Sequence, residues 1–95
     1  MRVKVKGLGG LKDLIPKEVS LTFDATEVKV KGVLEALARR IGHDFIYKVY
    51  SPYAQELASG VFVALNGRMI NYLNGLDTKV RDGARIAIGT MTSGG

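Results

Sequence analysis

Apolar residues recur at every second position near both ends of the chain and at helical spacing between them. Arg2 to Lys6 sets Val3 and Val5 between charged residues, a period of two that predicts a strand with the valines facing inward. Glu18 to Phe23 repeats the pattern with Val19, Leu21 and Phe23 on one face, which predicts a hairpin partner for that strand. Between the two, Gly7, Gly9 and Gly10 break the run, Leu8, Leu11, Leu14 and Ile15 surround a loop or short turn, and Pro16 closes the region. The glycine cluster reads as a strand end with a close backbone approach. A phosphate cradle would need a lysine and a helix opening directly after the glycines, and neither follows.

Asp24 to Glu27 is polar and turn-like. Then the period changes. Val30, Val33, Leu34, Leu37, Ala38 and Ile41 fall at helical spacing, with Lys31, Glu35, Arg39 and Arg40 on the other face. The two arginines suit the negative end of a helix and Gly42 supplies a stop, so the helix is bounded at Val30 to Ile41. His43 to Gly60 has no clear period. Its Phe45, Tyr47, Tyr50 and Tyr53 read as core or edge packing with wet hydroxyls, the rival being a base-stacking surface around Lys48. His43 reads as a surface or capping residue.

Val61 to Leu65 is a β-prone run, Asn66-Gly67 is a strong hairpin-turn signal, and Arg68 to Ile70 returns as a short strand. Asn74-Gly75 turns again, Leu76 to Val80 reads as a connecting turn, and Asp82-Gly83 opens a last strand, Ala84 to Ile88, with Ile86 and Ile88 apolar and Arg85 outward. One amphipathic helix laid across a mixed sheet is the economical way to bury both apolar faces, with the last strand central. The expected class is therefore α+β, with one domain over residues 1–89 and a flexible tail over 90–95.

Composition then narrows the chemistry. Ninety-five residues leave room for one small core and no large enclosed pocket. The chain has no cysteine and one histidine, His43, which excludes disulfides, thiolate nucleophiles and cysteine-based zinc sites. With no paired catalytic groups either, a binding module or carrier with no metal or cofactor of its own is expected before an enzyme. No run approaches the roughly 18 apolar residues of a membrane span, and the first residues lack the apolar stretch of a signal peptide. A cytoplasmic monomer is the expectation. The formal charge of +5 favours acidic partners. A nucleic-acid module built on Lys4, Lys6, Arg39, Arg40, Lys48, Arg68 and Arg85 is the rival, and those residues are scattered over every element.

The sequence closes on Ser93-Gly94-Gly95. Two glycines have no Cβ and can lie extended in a channel too narrow for other residues. With Gly95 as the terminus, its carboxylate would stand unguarded at the tip of a thin arm that a partner enzyme could thread. The alternative is a small-residue tail frayed like most termini.

Val61-Phe62-Val63-Ala64-Leu65-Asn66-Gly67, the passage from Leu76 through Asp82-Gly83-Ala84 to Ile88, and the closing Ser93-Gly94-Gly95 together resemble the MoaD/ThiS group of sulfur carriers, prokaryotic relatives of ubiquitin with the β-grasp fold. Val30 to Leu37 is similar to that family's helix. The chain departs from MoaD at the terminus, where Thr90-Met91-Thr92-Ser93 replaces Pro-Pro-Val-Ser, and at Ala84, where the family carries an acid. The resemblance implies a carrier that is not catalytic alone. A ubiquitin-activating-enzyme-like adenylyltransferase would use ATP to adenylate the Gly95 carboxylate, which then becomes a thiocarboxylate. Gly94, Ser93 and Thr92 would thread the partner's active site. Docking is expected on the sheet face near the tail through Met91, Leu8, Leu11 and Met69, with core packing as the alternative for the leucines. The further partner implied is a molybdopterin synthase large subunit in molybdenum- or tungsten-cofactor synthesis; alternatives are tRNA thiolation and conjugation to target-protein lysines.

Overall fold

The computed structural model describes residues 1–15 and 18–91. Strands β1 (Arg2–Gly7) and β2 (Glu18–Thr22) pair antiparallel, with Val3 opposite Leu21 and Val5 opposite Val19, as their alternation predicts. A 3-10 turn at Gly9–Leu11 folds back beneath the end of β1. A Cβ on Gly7 would stand 2.5 Å from the Leu11 carbonyl oxygen and 3.1 Å from the Ile15 Cβ, so backbone meets backbone there and only glycine fits. Pro16, expected to close this region, lies outside the described residues.

Helix α1 (Val30–Ile41) has the bounds that the 3.6-residue period predicts. Val30, Val33, Leu34 and Leu37 are fully buried. The Gly42 N–H donates to the Ala38 carbonyl, and its φ of 97° ends the helix in a conformation that favours glycine. Arg40 in the last turn also reaches across to donate to the Ser20 carbonyl of β2 at 3.3 Å.

Several short elements carry too little period to announce themselves. β3 (Glu27–Lys29), which starts on the last residue of the expected polar turn Asp24 to Glu27, pairs antiparallel with β8 (Lys79–Arg81), which takes the end of the expected connecting turn Leu76 to Val80. Val28 faces Val80 between charged neighbours, and Arg81 Nε donates to Glu27 Oε1 at 3.2 Å. The stretch without period contains helix α2 (His43–Lys48) and the two-residue strands β4 (Tyr50–Ser51) and β5 (Glu56–Leu57), which pair with each other. His43 is exposed as the first residue of α2, and the cap position before it is taken by Gly42.

The main sheet is completed by β6 (Val61–Leu65), β7 (Arg68–Met69) and β9 (Arg85–Thr90), in the order β2-β1-β9-β6-β7. β9 runs parallel to β1 and antiparallel to β6, so the last strand is indeed interior to the sheet. Asn66 and Gly67, with φ of 51° and 84°, make the tight turn between β6 and β7, and Asn66 Oδ1 accepts the Arg85 N–H at 2.9 Å. Val3, Val5, Val63, Leu65, Ile86 and Ile88 of the sheet meet the apolar stripe of α1, while Phe45, Val49 and Tyr50 close the same core. This is the β-grasp arrangement: one main helix held against one face of a mixed sheet, the other face left open.

Tyr50 corrects the expectation of wet tyrosines. Its side chain is fully buried, and its hydroxyl has no hydrogen-bond partner among the described residues. Burial, with the negative charge of Glu35 adding to it, raises its pKa above the ordinary tyrosine value. A raised folded pKa means stability that is present below the unfolded value near 10 and lost as pH rises through the folded one. Tyr50→Phe is therefore expected to hold or raise the neutral-pH melting temperature, gaining up to about 1 kcal/mol, and to flatten the alkaline loss of stability. Denaturation followed from neutral pH to above about pH 10 checks this, and a neutral-pH loss beyond about 2 kcal/mol would show that the hydroxyl is bonded.

Candidate functional site

Strand alternation sorts the open face. Val63 and Leu65 point into the core, so Phe62 and Ala64 point out; Ile86 and Ile88 point in, so Arg85, Ala87 and Gly89 point out. The register then sets Phe62 beside Gly89 and Ala64 beside both Ala87 and Met69. Phe62 lies over the missing side chain of Gly89. A Cβ at residue 89 would be 2.6 Å from the ring Cζ, 2.8 Å from Cε2 and 3.3 Å from the Leu8 Cβ. Leu8 arrives from the other neighbour, its N–H bonded to the Ile88 carbonyl at 2.8 Å. An aromatic ring and a leucine thus close over the strand just before the chain leaves the sheet.

The exit is held on a short leash. Thr90 pairs with Val61, and the Met91 N–H donates to the Gly60 carbonyl at 2.7 Å. Met91 is 60% exposed beside the Phe62–Gly89 contact, the most exposed of the docking candidates singled out from the sequence. Leu8 and Met69 are half-buried at the margins of the same apolar area. Leu11 is not part of it: at 4% exposure it belongs to the core, where it packs beneath the end of β1, and core packing is the reading that holds for it. Thr92, Ser93, Gly94 and Gly95 lie outside the described residues. Phe62, Ala64, Ala87 and Gly89 were not singled out from the sequence, although the parity of Ile86 and Ile88 already assigns residues 87, 89 and 91 to one side.

The cations divide as well. Lys4, Lys6 and Arg85 share the open face, with Arg2 on the same parity of β1. Arg39, Arg40 and Lys48 belong to α1 and α2, across the core from that face. Tyr47 and Tyr53 are 82% and 87% exposed, contrary to the packing expected of them, and they too lie in the α2–β4–β5 region. The set that a nucleic-acid module would need in one place is therefore split between two sides. Among the described residues no three acidic or imidazole side chains converge as a metal site would require, and no helix is long and apolar enough to cross a membrane.

Comparison with known proteins agrees with this geometry. The ThiS family model matches residues 9–95. The solution structure of small archaeal modifier protein 1 from Methanosarcina acetivorans is 28% identical and superposes with a TM-score of 0.73, covering 99% of this chain and 96% of that one. Urm1 from Trypanosoma brucei is 22% identical with a TM-score of 0.74, over 99% of this chain and 95% of its own. A putative molybdopterin converting factor subunit 1 from Pyrococcus furiosus is 20% identical with a TM-score of 0.72, over 96% and 98%. Among curated proteins, none matches in sequence.

The two tight glycines should respond differently to substitution. At Gly7 a Cβ strikes backbone, whereas at Gly89 it strikes the far end of a ring that can swing aside. Gly7→Ala is expected to cost about 3 kcal/mol and Gly89→Ala about 1 kcal/mol, with the latter cost reduced in a Phe62→Ala background. Denaturant unfolding of Gly7→Ala, Gly89→Ala, Phe62→Ala, the Phe62→Ala/Gly89→Ala double variant and wild type checks the order, and a Gly89 cost unaffected by Phe62→Ala would contradict the ring contact.

Proposed function

Because the chain belongs to the ThiS family, we propose that it is a ubiquitin-like sulfur carrier whose activated residue is Gly95. The supporting observation is the placement of β9: an interior strand, hydrogen-bonded along both edges, that ends at Thr90 beside a partly exposed apolar area, with Met91 still bonded to the Gly60 carbonyl four residues before Gly95. Those four residues span at most about 14 Å when extended. With Gly95 as the carboxyl terminus, an enzyme seated on Phe62, Met69 and Met91 finds the carboxylate within that distance of Met91.

The chemistry belongs to the partner. With Gly95 as the carboxyl terminus, a carboxylate oxygen attacks the α-phosphorus of ATP in a ubiquitin-activating-enzyme-like adenylyltransferase, and pyrophosphate leaves. The terminal sulfur of a persulfide then attacks the acyl carbon, forming a C–S bond as AMP leaves. A thiol attacks the other sulfur of the resulting acyl disulfide, breaking the persulfide's original S–S bond, so that a disulfide forms and the thiocarboxylate is released. Gly94, Ser93 and Thr92 occupy the channel, and Gly94 brings no Cβ to obstruct it. The carrier holds no cofactor of its own and acts in the cytoplasm. The acceptor is the molybdopterin precursor, reached when the tail enters a molybdopterin synthase large subunit.

A second reading is favoured by the 28% identical relative, a small archaeal modifier protein. In it, a lysine amine of a target protein attacks the same adenylated carbonyl, AMP leaves, the nitrogen loses a proton, and an isopeptide bond forms.

Intact-mass measurement after incubation with ATP, a sulfur source and the host's adenylating enzyme tests the proposal. The carrier reading predicts a gain equal to exchange of one oxygen for one sulfur, abolished when Gly95 is deleted. No adenylate and no gain, with the enzyme active on another carrier, would overturn it; conjugates on lysine without a thiocarboxylate would select the modifier. Gly94→Val is expected to lower kcat/KM for adenylation about a hundredfold through misplacement of the carboxylate, while the fold is retained by circular dichroism.

A further inference from the structure

The open face has a second half, away from the exit of the chain. Arg2, Lys4 and Lys6 alternate along β1, and the parallel register sets Arg85 of β9 directly beside Lys4. Together they border two adjoining depressions of about 200 and 180 Å³ that share Lys4 and Arg85. Two carboxylates stand nearby. Glu18 of β2 is 3.8 Å from Lys4 Nζ and 4.0 Å from Arg85, and Asp82 accepts the Arg2 backbone N–H at 2.7 Å. Exposed pairs of this length and geometry contribute little to stability, so the fold does not need the cations there.

We propose that this strip is the electrostatic half of the docking surface, and that it fits an acidic rim on the adenylating enzyme, positioned where the apolar half has already seated β9. This rests on the carrier reading above. The strip continues the apolar area without a break, through Ala64 and Ala87, which line the larger depression together with Lys4, Lys6 and Arg85. Charge at the edge of an apolar contact steers encounter and fixes orientation, and orientation is what a four-residue arm needs. Glu18 acts as a removable internal partner: it bridges Lys4 and Arg85 in the free chain and yields them to the enzyme's carboxylates on docking. A protein partner is favoured over RNA because Glu18 sits within the strip and the exposed tyrosines Tyr47 and Tyr53 lie in another region.

Binding of the full chain to the host's purified adenylating enzyme is measured by fluorescence anisotropy between about 50 and about 300 mM salt, with total tRNA as the second probe. The triple variant Lys4→Ala, Lys6→Ala, Arg85→Ala is expected to raise Kd on the order of tenfold at low salt and to flatten the salt dependence. Glu18→Gln is expected to lower Kd a few-fold, an opposite sign that misfolding does not produce. Lys79→Ala, a cation on β8, serves as the control. A triple variant within twofold of wild type, or weaker binding by Glu18→Gln, overturns the proposal while adenylation of the wild-type chain leaves the carrier reading standing. Tighter binding of tRNA than of the enzyme, lost in the triple variant, overturns it in favour of an RNA surface. Failure of the wild-type chain to bind or be adenylated by an enzyme active on another carrier removes both readings together.

Discussion

The structure depends on one insertion: β9, nearly the last element of the chain, lies between β1, the first, and β6. Until it arrives, β1 and β6 have bare inner edges and the helix stripe has only half a sheet to cover. Once in place, it contributes Ile86 and Ile88 to the core on one side and Ala87 and Gly89 to the open face on the other. The pairing of β1 with β9 spans almost the whole sequence, which makes it a costly closure during folding and a rigid mount afterwards. A chain that leaves the domain from such a strand has its direction set by the sheet.

The same strand explains where the apolar and charged halves of the open face lie. Along β9, Arg85 is followed by Ala87 and Gly89 on the outward side, so the surface passes from cationic to apolar toward the exit. Neighbouring strands reinforce the gradient, Lys4 standing beside Arg85 and Phe62 beside Gly89. Small residues at 87 and 89 keep the centre of the face low enough for the ring of Phe62 and the side chain of Leu8 to lie across it. Relief and charge on this face thus both change along β9 toward Thr90 and Met91.

Much of this was legible in the sequence where a period ran long enough. The twelve residues of α1 and the alternation of β1, β2 and β6 carry their own signals, and Asn66-Gly67 marks its turn through the need for positive φ. β3 and β8 have three residues each, and β4 and β5 two, so no period could develop; they exist because Val28 meets Val80 across the sequence and Tyr50 meets Leu57 in a short local hairpin. Leu11 and Leu8 look alike in sequence, yet one turn of 3-10 helix sends Leu11 into the core and leaves Leu8 at the open face. Gly89 was illegible for another reason: its value lies in a cross-strand ring that only the register reveals. The closing glycines were the plainest chemical signal in the chain, and the family match over residues 9–95 gives them their context.

The central claim is that the open face around β9 meets the activating enzyme and delivers the end of the chain to it. Amide chemical-shift mapping of the isotope-labelled chain during titration with the adenylating enzyme tests this most directly. The account predicts that shifts and broadening concentrate at Leu8, Phe62, Ala64, Ala87 and Met91 and at the residues that follow, with α1 and α2 silent. Perturbation confined to α1 and α2, with the open face unchanged, would contradict it.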